Sequence, residues 1–141
     1  MRSAVNVCLD SYALLAWLGD EPGSGLVDRL LADCESGTST CHLSTINLGE
    51  IYYILARRAG EPPAERFWTE CTRGILPIRL ATATAPRIRA AARIKAQFPV
   101  AYADAFAVAT ALAHRCPLVT ADPEIQRIAP AVGLHLLWDN P

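Results

Sequence analysis

Ala103-Asp104-Ala105-Phe106-Ala107-Val108-Ala109-Thr110-Ala111-Leu112-Ala113 and, after a short break, Pro117-Leu118-Val119-Thr120-Ala121-Asp122-Pro123 decide the fold of this chain. The first stretch is apolar almost all round, the composition of a buried helix, and its single charge is Asp104. The second is a strand-like run closed by an acid and a proline. A buried helix therefore leads straight into a strand, and the strand ends in Asp122. The same ending occurs near the N-terminus, where the apolar run Ala4-Val5-Asn6-Val7-Cys8-Leu9 meets Asp10.

Working outward, strand-like runs fall near residues 4–9, 40–43, 75–80, 117–120 and 134–137, with helical patterns between them. That alternation predicts an α/β fold with a parallel sheet. The connections are long enough for right-handed crossovers, and ligands of such sheets bind beyond the carboxyl ends of the strands. Asp10 and Asp122 lie there. The chain of 141 residues has no internal repeat and no linker-like tract, so residues 1–141 are expected to form one domain.

A helix from about Ser44 to Ala59 carries a core-facing stripe at Leu48, Ile51, Tyr52, Leu55 and Ala59. Glu50 lies off that stripe, and its neighbours at three and four residues are Ile46, Asn47, Tyr53 and Ile54, none of them a charge partner. An acid so placed needs a partner. Residues 86–96, from Pro86 through Arg87, Arg89, Arg93 and Lys95, form a basic amphipathic helix suited to meeting phosphates.

The formal charge is −1, so no global basic character announces a nucleic-acid partner. The local distribution is uneven. Residues 71–103 hold Arg73, Arg79, Arg87, Arg89, Arg93 and Lys95 and no acid, whereas residues 1–70 hold ten acids and five bases. The five cysteines form no CxxC pair, and without a secretory signal they read as reduced, packed thiols of a cytoplasmic protein. No apolar run approaches the roughly 20 residues that span a bilayer, so no membrane association is expected.

Taken singly, Asp10, Asp104 and Asp122 are ordinary helix-capping or helix-dipole residues. Glu50 has no such role. Four acids converging on one sheet edge would repel one another, and a divalent cation resolves that conflict. Carboxylates suit Mg²⁺ or Mn²⁺. The chemistry such a centre supports on a nucleic acid is phosphodiester hydrolysis by an activated water. No serine has a nucleophile signature, and His42, His114 and His135 read as structural or exposed.

With these residues in view, the chain resembles a family. Leu9-Asp10-Ser11-Tyr12-Ala13-Leu14-Leu15-Ala16, Leu43-Ser44-Thr45-Ile46-Asn47-Leu48-Gly49-Glu50-Ile51, Ala103 to Ala111 and Leu118-Val119-Thr120-Ala121-Asp122 are similar, in order, to the motifs of PIN-domain ribonucleases, specifically VapC-type toxins. The likeness covers essentially the whole chain. It implies a three-layer sandwich with a five-stranded parallel sheet flanked by helices, a homodimer, Mg²⁺- or Mn²⁺-dependent endoribonuclease activity, and an antitoxin partner through which DNA is met only indirectly.

By matching position, the resemblance makes Asp10 and Asp104 the principal metal ligands, with Glu50 and Asp122 completing the catalytic site. Thr120 also matches, and Ser11 and Asn47 are candidates for orienting the ligands or for local capping. Two features depart from the commoner pattern. Pro123-Glu124 follows Asp122, leaving open whether Glu124 joins the site, and Tyr12 stands where a small residue is common. Leu14, Trp17, Leu18, Leu26, Leu30 and Leu31 on the first two helices form a candidate antitoxin groove. Tyr52, Tyr53 and Trp68 read as core or dimer residues. The competing readings are a PIN-like scaffold that binds RNA or protein without cleaving it, and a PIN nuclease of RNA processing.

Overall fold

The structure is a computed structural model that describes residues 5–138. The expected first residue of the opening strand, Ala4, and both ends of the 1–141 span lie outside it. The strands are β1 Val5–Leu9, β2 Ser39–Ser44, β3 Ile78–Ala81, β4 Leu118–Val119 and β5 Leu136–Leu137. The helices are α1 Ser11–Leu18, α2 Ser24–Glu35, α3 Thr45–Ala59, α4 Glu61–Thr72, α5 Ala85–Gln97, α6 Tyr102–His114 and α7 Pro123–Val132. All strand pairs are parallel, in the order β3-β2-β1-β4-β5. The sheet expected from alternation is present, with helices on both faces.

Alternation along β1 separates those faces, since successive side chains of a strand point to opposite sides. Val7 and Leu9 enter a core with Leu14 of α1, Val27 of α2, Leu48 of α3 and Phe67 of α4. Cys8 enters the other, with Ala91 of α5, Phe106 of α6 and Ile125 of α7. Burying Phe106 alone contributes about 1.5–3 kcal/mol of transfer free energy, which explains why α6 carries so little charge.

Helix boundaries follow capping chemistry. Ser44 caps α3 by accepting the Ile46 N–H at 3.2 Å, and Thr84 caps α5 by accepting the Arg87 N–H at 3.4 Å. Gly23 starts α2 at φ 98°, where an added Cβ would lie 2.2 Å from the Trp138 indole. Glycine is required there by backbone and by space.

Several expectations change. The third strand was expected near 75–80, but residues 75–77 form a bend and pairing begins at Ile78. Pro77 has no N–H for a ladder. The strands expected at 117–120 and 134–137 shrink to two residues each. Not all cysteines are free thiols: Cys34 at the end of α2 and Cys41 in β2 form a disulfide with Cα atoms 6.3 Å apart, within the usual bridging range. Cys8, Cys71 and Cys116 are free and buried as expected. Tyr53 and Trp68 are 46% and 41% exposed, so they are not core residues. Leu14 and Leu31 are core, which leaves Leu18 and Tyr12 as the exposed apolar side chains of α1. Among the described residues no single helix is long and apolar enough to cross a membrane.

Candidate acidic metal centre

The carboxyl edge of the sheet gathers the acids because a helix starts immediately after β1, β2 and β4, or one turn beyond. Asp10 ends β1 and caps α1, its Oδ1 accepting the Ala13 N–H at 2.8 Å. Asp122, just past β4, caps α7, its Oδ1 accepting from the Glu124 N–H at 2.8 Å and the Ile125 N–H at 3.4 Å. Asp104 stands in the first turn of α6. The ordinary capping reading is thus correct for Asp10 and Asp122, and it does not compete with a site. Each acid is placed by its helix at the positive end of a dipole, aimed off the sheet edge.

Asp104, Asp122 and Glu124 each present a carboxylate oxygen, and these lie within 4.8 Å of one another. Asp10 and Glu50 stand beside this trio rather than in it. Asp10 is 1% exposed, and burial, the largest effect, pushes its carboxyl up to about 7. Hydrogen bonds from Thr120 and the Ala13 amide act against that rise, while Asp104 and Asp122 add to it. Asp104 is also pushed up to about 7, first by burial and then by Asp122, Glu50 and Glu124. Five carboxylates therefore form one electrostatic unit.

Thr120 ties the unit together. It is fully buried, hydrogen-bonds to Asp10, and accepts the Asp122 N–H at 3.0 Å through Oγ1. Asn47 ties the helix starts: its Nδ2 donates to Ser11 Oγ at 3.2 Å and to the Ala103 carbonyl at 3.1 Å. Ser11 Oγ in turn donates to the Asn47 carbonyl at 3.3 Å. Asn47 is fully buried, and its Oδ1 is the buried side-chain polar atom left without a partner among the described residues. A desolvated acceptor with nothing to accept is costly. The all-oxygen donor set, with Asp10 and Asp104 crowded by their neighbours' charges, fits a hard divalent cation.

Glu124 is one of the residues that the sequence left open, with Ser11, Asn47 and Thr120, and geometry makes it a member of the trio. The available signal was its place in the first turn of α7, where Asp122 and Glu124 follow one another across Pro123. One of the four basic residues of α5, Arg87, is not where the sequence suggested. Arg87 points into the protein, donating from Nη1 to Thr110 Oγ1 at 2.9 Å, and Lys95 donates to the Val100 carbonyl at 2.9 Å. The exposed basic residues of α5 are Arg89 and Arg93 together with Lys95.

Residues 7–130 match the family described as PIN domain, and the chain belongs to that family. No curated protein matches it. Among solved structures, VapC20 of Mycobacterium tuberculosis, described as a sarcin-ricin loop cleaving toxin, is 21% identical, with 94% of this chain and 99% of that one covered and a TM-score of 0.71. VapBC2 from Rickettsia felis, bound to a DNA fragment from its promoter, gives 15% identity, coverage of 96% and 100%, and a TM-score of 0.69. FitAcB from Neisseria gonorrhoeae gives 21%, coverage of 93% and 96%, and 0.65. At these identities the likeness is one of fold.

Proposed function

We propose that this chain is a Mg²⁺- or Mn²⁺-dependent endoribonuclease, the toxin of a toxin-antitoxin pair, working in the cytoplasm. The observation that carries the nuclease reading is the convergence of Asp104, Asp122 and Glu124 within 4.8 Å beside buried Asp10, in a chain of the PIN family. A bound divalent cation supplies charge neutralisation at the scissile phosphate and a water of lowered pKa. Asp104, Asp122 and Glu124 would hold that cation with Asp10 beside them, and Glu50 would orient water. Thr120 links the Asp10 carboxyl to the Asp122 backbone, and Asn47 holds the starts of α1 and α6 together.

The toxin reading is supported by structural relatives described as a toxin–antitoxin complex and as a member of a family of toxin–antitoxin systems. The antitoxin is assigned to the face of α1 that exposes Tyr12 and Leu18, and a homodimer to the exposed aromatics Tyr53 and Trp68. Induction of the chain in cells, beside an Asp10→Asn control, tests both parts. Growth arrest with newly cut RNA ends, absent in the control and relieved by co-expressing the neighbouring small gene, is the expected result. Arrest that persists in the control, or no product of that gene binding the chain, contradicts it.

A further inference from the structure

A second cluster of charge lies away from the acids. On the face covered by α5, α6 and α7, the row Leu118, Cys8, His42, Arg79 crosses four strands in register. The first two members are core, and the last two are basic where a covered face would take apolar side chains. His42, 5% exposed, stacks on His114 of α6 with ring centroids 3.9 Å apart and planes 18° from parallel. Arg87 reaches the same place, fixed by its bond to Thr110 Oγ1, and that hydroxyl is locked by donating to the Phe106 carbonyl at 2.7 Å.

Arg79 and Arg87 both act electrostatically on both imidazoles, and no carboxylate is among the charged groups acting on either. Burial first, then His114 and the two arginines, hold His42 down to about 4, and His114 is lowered too. Two guanidinium groups and two imidazoles have thus been brought together with no carboxylate among the described residues acting on the imidazoles. The two guanidinium groups repel each other across imidazoles held neutral, and an anion would relieve that repulsion and allow the imidazoles to charge. Arg79 and His114 are exposed, so the cluster is open to solvent, while His42 and Arg87 form its fixed floor.

We propose that His42, Arg79, Arg87 and His114 form a phosphate-binding site. The donors suit a phosphate: guanidinium forks present paired N–H groups, and each imidazole gains a second N–H by taking a proton from solvent as the anion's charge raises its pKa. Ten residues of α6 separate Asp104 from His114, about 15 Å along the helix axis, so the phosphate held here is not one bound by the acids. The phosphate belongs either to an RNA strand whose cleavage point lies at the acids or to a free small phosphate. Only the first source rests on the ribonuclease reading.

The test follows the imidazole resonances of His42 and His114 by NMR in EDTA, where no cleavage intervenes. One arm adds inorganic phosphate and the other a short single-stranded oligoribonucleotide. The site predicts that both sets of resonances move in at least one arm and that the His42 pKa rises by about one unit or more. Arg79→Gln combined with His114→Asn, both at exposed positions, should weaken that binding about tenfold while leaving the thermal response to Mn²⁺ unchanged. Shifts with the oligonucleotide assign the RNA backbone, and shifts with phosphate alone assign a small phosphate. Histidines that ignore both ligands overturn the proposal. Failure to cleave RNA with Mn²⁺ would sink the nuclease reading and leave the phosphate arm standing.

Discussion

Asp104 and Asp122 reach each other from the first turn of α6 and the cap of α7, with carboxylate oxygens within 4.8 Å. They differ in what else they do. Asp122 spends Oδ1 on two backbone N–H groups, whereas Asp104 makes no cap bond. Asp104→Asn should therefore abolish cleavage and leave the metal-free protein at least as stable, because a repulsion is removed and no cap is lost. Asp122→Ala should cost about 1 kcal/mol through its cap. Thermal melts of both variants with and without Mn²⁺ check this, and a destabilised Asp104→Asn with its Mn²⁺ response intact would make Asp104 a structural residue.

The pH dependence of stability should carry the signature of crowded acids. Asp10 and Asp104, raised to about 7, keep protons in the folded state that the unfolded chain releases near about 4. The folded state binds more protons, so metal-free stability falls as pH rises from about 4 through about 7. His42, lowered to about 4, acts in the opposite direction, its contribution being lost as pH falls from about 6.5 toward 4. Above about pH 6.5 the carboxylates dominate. Melts in EDTA should show the midpoint dropping from pH 6.5 to 8, less in Asp104→Asn and hardly at all with Mn²⁺. A rising midpoint in metal-free wild type over that range would contradict the coupling.

On α5 the basic residues should divide by role. Replacing exposed Arg89 and Arg93 by Gln should reduce the slope of log binding constant against log salt by about 1.4 for single-stranded RNA, at about 0.7 per phosphate contact. Folding should be untouched. Arg87→Gln breaks the bond to Thr110 and should cost about 1 kcal/mol of stability. Filter binding over a salt series, with a melt of each variant, separates the two effects.

The strands, the buried α6 and the acids at strand ends were legible because each has a local pattern. Alternation in Val7-Cys8-Leu9 and the near absence of charge in α6 are properties of a few consecutive residues. The limits of β3, β4 and β5 were not legible, since strand ends are set by which neighbour supplies hydrogen bonds. Nor was the direction of Arg87, which on a helical wheel belongs with Arg89 and Arg93 but is captured by a threonine 23 residues away. The Cys34–Cys41 disulfide likewise depends on the meeting of α2 and β2. Glu124 was visible but ambiguous, because a first-turn acid serves a helix dipole equally well.

The most direct measurement is the end chemistry of RNA cut by the purified chain across a Mn²⁺ titration. A metal-activated water attacks phosphorus without using the neighbouring 2′-hydroxyl, so the products should carry 5′-phosphate and 3′-hydroxyl ends. Cleavage should rise with Mn²⁺, cease in EDTA and be lost in Asp104→Asn. Products ending in 2′,3′-cyclic phosphate, or equal cleavage in EDTA, would contradict the acidic centre as the catalytic site.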